Sequence, residues 1–171
     1  RYACIPQEYQ DKMVYRGEFY MDLGNTGRNY YVGIMEYIWD DVVYDFIDNE
    51  EFFSWGNPYT NLVDDIPKFC FFAKAALAAL NYMNWIPDVV HCHDWQTGMI
   101  PALLKIQYAQ FPFYQDMKTV YTIHNLQYQG VFPIKAVQDT LGLGDSLFTS
   151  DKLECYGCAN YMKAGLVYAD E

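Results

Sequence analysis

Two short β-branched runs, each ending in a cluster of polar side chains, bracket one helical stretch. Asp88-Val89-Val90-His91-Cys92 reads as a buried strand, and Thr119-Val120-Tyr121-Thr122-Ile123 reads as a second. Between them, Thr97 to Gln110 reads as a helix with Pro101 in its first turn. Parallel strands need a crossover of about that length, whereas antiparallel strands can be joined by a tight turn. The spacing therefore predicts a β–α–β unit whose two strands lie side by side and end at the same edge. Open parallel sheets bind their ligands beyond that edge. The residues there are His91-Cys92-His93-Asp94-Trp95-Gln96 and His124-Asn125-Leu126-Gln127-Tyr128-Gln129-Gly130, so Asp94 and His124 are expected to face one crevice.

The rest of the chain supports an α/β reading. Residues 19–23 and 29–38 are rich in Tyr, Phe, Val and Ile, and flank Gly24-Asn25-Thr26-Gly27, which predicts a β-hairpin. Val42 to Ile47 is a further strand, followed by the acidic Asp48-Asn49-Glu50-Glu51 and by loop chemistry at Gly56-Asn57-Pro58. Ile66 to Met83 has helical spacing, with Asp64 or Asp65 as cap and Pro67 in the first turn. Shorter helices are expected at 134–141 and from Tyr161 to Ala169. The expected fold is a Rossmann-like parallel sheet with helices on both faces plus a β-hairpin. No repeat or linker interrupts it.

Charge and cysteine usage narrow the partners. The net charge of -11 opposes nucleic acid and anionic membranes. No apolar run approaches the ~20 residues of a membrane span, and no signal peptide is visible. Five cysteines at irregular spacing are not a disulfide framework. Cys70 and Cys92 read as buried thiols of a reducing, cytoplasmic setting. Cys155-Tyr-Gly-Cys158 lacks a second ligand pair and is read as coincidence. The chain opens on Arg1 and closes on Ala-Asp-Glu, which reads as a fragment of a longer protein.

Asp, His, Asn and Gln beside Trp and Tyr suit a neutral polyol: carboxylate and amides meet hydroxyls, and rings cover the apolar sugar face. Phosphate is poorly served, since neither a G-x-G-x-x-G nor a P-loop is present, and Leu141-Gly142-Leu143-Gly144 is a helix exit. Three function classes stay open on residues alone: a glycosyltransferase fragment, a metal-dependent hydrolase using His91, His93, Asp94 and His124, and a non-catalytic carbohydrate-binding domain. Metal binding needs more ligands than three His supply. His91 is read as a satisfied core histidine, His93 as orienting the Asp94 loop or capping the sheet, and Trp95 as packing. Asp94 is also a candidate helix cap. Asp48 and Glu50 have the chemistry of a glycosidase pair, but read better as a solvated loop or cleft rim.

Pro87-Asp88-Val89-Val90-His91-Cys92-His93-Asp94-Trp95-Gln96-Thr97-Gly98 resembles the P-D-(V/I)-(V/I)-H-x-H-D-W-x-x-G signature of bacterial glycogen synthases and plant starch synthases. Thr119 to Gly130 is similar to their T-V-x-T-I-H-N-L-x-Y-Q-G. Weaker matches lie at Tyr44 to Glu50 and at Tyr161 to Asp170. The resemblance implies a two-domain glycosyltransferase-B-type fold, of which residues 1–171 are an incomplete, acceptor-side N-terminal domain. It implies glucose transfer from ADP-glucose, with retention, to the non-reducing end of an α-1,4-glucan, without cofactor or metal. The choice between ADP- and UDP-glucose stays open. His124 and Asp94 would be catalytic, and Asn125, Tyr59, His93 and Gln129 would bind substrate; after Tyr59 the stretch Asn61-Leu62-Val63 departs from the family pattern. The diphosphate clamp would come from a Lys-x-Gly-Gly loop and from the C-terminal domain, both outside this chain, so the isolated chain is expected to be inactive.

Overall fold

The computed structural model describes residues 2–24, 26–60 and 62–171. Asn25 of the expected hairpin turn and Asn61 beyond Tyr59 lie outside the described residues. A short helix α1 (Gln7–Gln10) precedes an antiparallel meander of β1 (Val14–Asp22), β2 (Asn29–Trp39) and β3 (Val42–Asp48), in the order β1-β2-β3. The expected hairpin is thus two-thirds of a three-stranded sheet. β3 folds back through Asp40 and Asp41, both at positive φ (51° and 60°), the backbone of a two-residue turn that matches strand twist. One face of the meander is dry, with Val32 and Ile34 fully buried; the other exposes Tyr20 and Trp39.

Of the stretch read as a loop or rim, Asp48 closes β3, and Glu50 opens the short helix α2 (Glu50–Phe53). Buried Asn49 caps it, accepting from the Phe52 amide at 3.0 Å. Helix α3 (Asp65–Tyr82) lies close to its expected bounds. Asp64 stands at its cap position but makes no side-chain capping bond, and the buried Asp65 carboxylate accepts from the Thr60 amide at 2.7 Å. Phe71 of α3 stacks on Phe52 of α2 with ring centroids 4.7 Å apart and meets Tyr30 of β2 at 6.3 Å, joining meander to helix.

β4 (Val89–His93) and β5 (Lys118–Thr122) pair in parallel, with His93 opposite Thr122. Their crossover begins three residues before the expected helix, as α4 (Asp94–Thr97), and continues as α5 (Met99–Leu103) and a π-helical turn (Leu104–Tyr108). The break falls at Gly98, near Pro101, whose nitrogen has no proton for the carbonyl four residues back. Gly98 also admits the next layer: a Cβ there would run into the Tyr161 carbonyl.

The last third holds α6 (Ile134–Leu141), ended by Gly142 in the left-handed region, and α7 (Tyr161–Tyr168). Around them a small antiparallel sheet forms from β6 (Val131–Phe132), β7 (Glu154–Cys155) and β8 (Cys158–Asn160), in the order β6-β8-β7. Its strands are too short to show any alternation in the sequence. Asp170 and Glu171 run on beside β5, exchanging backbone bonds with Thr119 and Tyr121. The core lies where α3, α5 and α7 meet, around Trp95, Phe71, Leu103 and Tyr161. Cys70 is buried there, 2.9 Å from the Tyr161 hydroxyl, and burial pushes its thiol up to about 12. Cys92 is buried as expected. Among the described residues no helix is long and apolar enough to cross a membrane.

Candidate functional site

Because β4 and β5 are parallel and in register, their polar ends emerge together. Asp94 follows β4 at once, with φ at 58°, in the left-handed region. This turn aims its carboxylate across to the neighbouring strand rather than along its own helix. Oδ1 accepts from the His124 amide at 2.7 Å and from the Asn125 amide at 3.3 Å. Asp94 therefore does not cap α4. One carboxylate oxygen holds the backbone of the loop that leaves β5.

Three imidazoles line the same edge. His93 Nδ1 and His124 Nε2 are 3.0 Å apart, with rings tilted by 29°. One nitrogen donates and the other accepts, so at most one of the two rings carries its extra proton on this contact. Desolvation, then the neighbouring His91 and His124, lower the His93 pKa and favour its neutral form. His91 stacks behind His93 at 4.2 Å and bonds the Thr122 hydroxyl at 2.7 Å. His91 is exposed, which corrects its reading as a core histidine. It shares a face with Val89 and His93, and strand periodicity puts all three on the side of β4 opposite buried Cys92.

Asp94, His124, Asn125 and His93 thus form one cluster. Tyr59 reaches it indirectly: its ring meets Trp95 edge-on at 5.9 Å and lies 6.1 Å from Tyr128. Trp95 is packing, as expected, wedged also against Phe69, Phe132 and Tyr161. Gln129 is engaged at both ends of its amide, accepting from Asn160 at 2.9 Å and donating to the Leu126 carbonyl at 3.2 Å. In this structure it braces the loop. Asn160, which sequence reasoning did not single out, does two jobs: it holds Gln129 and caps α7 through the Lys163 amide at 2.8 Å. Its place just before a helical run was the available signal. An open cavity of about 250 Å³ is lined by Gln127 to Phe132, further along the chain that leaves His124 and Asn125.

This donor set does not suit a metal. The Asp94 carboxylate is turned onto amides, and His91 is bonded to Thr122. Among the described residues no three His, Cys, Asp or Glu side chains converge as ligands. What the cluster offers is a directed imidazole, an amide side chain and exposed aromatic rings at the ligand edge of a parallel β–α–β unit. That class of α/β domain binds polar organic ligands there.

A protein-family model described as the starch synthase catalytic domain matches residues 1–171, and the chain belongs to that family. It is 52% identical over 170 residues to a glycogen synthase of Lachnospira eligens, covering 99% of this chain and 35% of that protein. A glycogen synthase of Bacillus licheniformis is 45% identical over 171 residues, covering 100% of this chain and 35% of that protein. The fold matches the catalytic domain of starch synthase IV from Arabidopsis thaliana, bound to ADP and acarbose, with a TM-score of 0.80. That alignment has 24% identity and covers 92% of this chain and 33% of the other. The chain therefore spans about a third of the length of these relatives.

Proposed function

We propose that this chain is the acceptor-side part of the N-terminal domain of a retaining glucosyltransferase that extends an α-1,4-glucan from ADP-glucose. The observation that carries the reading is the double use of the strand ends: Asp94 fixes the His124 backbone while His93 fixes the His124 ring. Relatives named glycogen synthase, and an Arabidopsis starch synthase structure holding ADP and acarbose, support the substrate class.

In the transfer, the bond from the glucose anomeric carbon to the diphosphate breaks. A bond to the acceptor hydroxyl forms on the same face, and that hydroxyl gives up its proton to the departing diphosphate oxygen. His124 holds the donor glucose: its Nε2 is taken by His93, which leaves Nδ1 and the loop carbonyl for the sugar. Asn125 supports the same ring, and Tyr59 offers a face to the acceptor. Asp94 acts through the loop it holds and lends negative charge near a carbon that becomes electron-poor. The diphosphate charge is met by basic groups of the C-terminal domain of the same protein, which makes that domain an obligate partner. We place the activity in the cytosol, a reducing setting that suits the buried thiols Cys70 and Cys92.

The test is glucose incorporation into glucan by the full-length protein. His124→Ala is expected to lower kcat by about 10²–10³-fold, the scale for loss of one preorganised polar group. The isolated chain is expected to give no turnover. Wild-type rates in His124→Ala, or elongation by the chain alone, would sink the proposal.

A further inference from the structure

We propose that Cys155 and Cys158 form a redox-active dithiol that closes to a disulfide within the β7–β8 hairpin. The two cysteines are the last residue of β7 and the first of β8, and they are direct cross-strand partners. Opposed residues in an antiparallel pair have Cα atoms about 4.5 or 5.5 Å apart, depending on the ladder position. Both spacings fall within the roughly 4.4–6.8 Å that a disulfide spans. The turn between them is Tyr156-Gly157, both at positive φ (51° and 79°), so the hairpin is already folded at the tightest loop that can bring two strands together. Access is open: both cysteines are partly exposed, and Tyr156 stands clear of the protein. Cys70 and Cys92, in contrast, are buried in the core.

The oxidant is a small disulfide such as oxidised glutathione. One cysteine thiolate attacks a sulfur of that disulfide and expels one glutathione thiolate. The second cysteine, having lost its proton, attacks the resulting mixed disulfide and expels the other. Two protein thiols and one disulfide become one protein bridge and two glutathione thiols. The bridge would clamp β8, the central strand of its sheet, whose last residue Asn160 holds Gln129 behind the site.

The experiment equilibrates the full-length protein in glutathione buffers of stepped ratio, traps free thiols with iodoacetamide, and reads the tryptic peptide 153–163 by mass spectrometry. Both cysteines lie in this one peptide. The expected product is unalkylated and lighter by two hydrogens. It should appear at about tenfold less oxidised glutathione than in the urea-unfolded protein, because the folded hairpin pre-pays closure. Cys155→Ser should give a glutathione adduct on Cys158 instead. A peptide that stays doubly alkylated or glutathionylated at every ratio would overturn the proposal. So would closure at the same ratio in folded and unfolded protein.

Discussion

Asp94 combines a left-handed backbone with a carboxylate that holds a neighbouring loop, and substitution can separate the two. The 2.7 Å bond from the His124 amide is a short, charge-assisted contact, whereas the 3.3 Å bond from Asn125 lies beyond the usual range. One good bond to a charged acceptor is worth about 1.5–3 kcal/mol, and partial exposure of the loop lowers this to about 1–2 kcal/mol. A left-handed φ costs a residue with a Cβ about 1–2 kcal/mol, and glycine nothing. Aspartate, which has a Cβ, carries that cost in the wild type. Asp94→Gly should therefore lose the hydrogen bond but shed the strain, for a net loss of about 0–1 kcal/mol once glycine's extra chain entropy is counted. Asp94→Ala should lose the bond and keep the strain that aspartate already carries, a loss of about 1–2 kcal/mol. The assay is the urea midpoint at neutral pH with an unchanged m-value. Equal midpoints for Ala and Gly would refute the backbone argument, and a midpoint unchanged from wild type in both would refute the hydrogen bond.

Two further outcomes are expected. Gly130 has φ at 63° and packs so closely on Trp95 that a Cβ would overlap the indole; Gly130→Ala should destabilise by about 2–4 kcal/mol in the same unfolding assay and quench or shift the tryptophan emission. Asp170, bonded to Lys105 at 2.8 Å and to the amide and hydroxyl of buried Thr119, is held down to about 2 from an ordinary 3.8, first by the Lys105 bond. Its folded pKa lies below its unfolded one, so its stabilisation is complete above about pH 5 and drains away as pH falls towards 2. After allowance for solvent screening it amounts to about 1–2 kcal/mol, which Asp170→Asn should remove at pH 7 while leaving stability at pH 2 nearly unchanged.

The elements read most accurately from the sequence were those with a long periodic signal. α3 spans over four turns, and β2 and β3 carry dense β-branched and aromatic runs, so their bounds differ from expectation by a residue or so. β1 starts five residues before the expected position, because Val14 to Glu18 include Arg, Gly and Glu and lack an apolar alternation. The small sheet of β6, β7 and β8 was not legible, since strands of two or three residues have no period. At the site, topology alone brought Asp94 and His124 to one edge. What each does there depends on register: His93 opposite Thr122 sets the His93–His124 contact, and the φ of Asp94 sets where its carboxylate points. Neither quantity is written in residue type. His91 was misread for a related reason. Its sequence neighbours are apolar, but the strand's alternation puts it on the exposed face.

The loop from His124 to Gly130 is held from both ends by groups that never need to touch a ligand. At its start, Asp94 takes the amides of His124 and Asn125. At its end, the carbonyls of Gln129 and Gly130 accept from Met162 and Tyr161 at the start of α7, and Asn160 clasps the Gln129 side chain. Between these anchors Leu126 to Tyr128 are exposed, and the loop is braced within itself by the Gln127 amide on Asn125 and by Gln129 on the Leu126 carbonyl. The near end bears His124 and is tied to a charge; the far end bears the packing of Trp95 and is tied to a helix cap. A substitution at Asn160 therefore loosens α7 and the far end of the loop together, whereas one at Asp94 loosens the start of the loop, with His124 and Asn125. The end that presents the imidazole thus rests on one carboxylate oxygen and a neighbouring histidine, and the end that packs the core rests on two backbone bonds and the Asn160 amide.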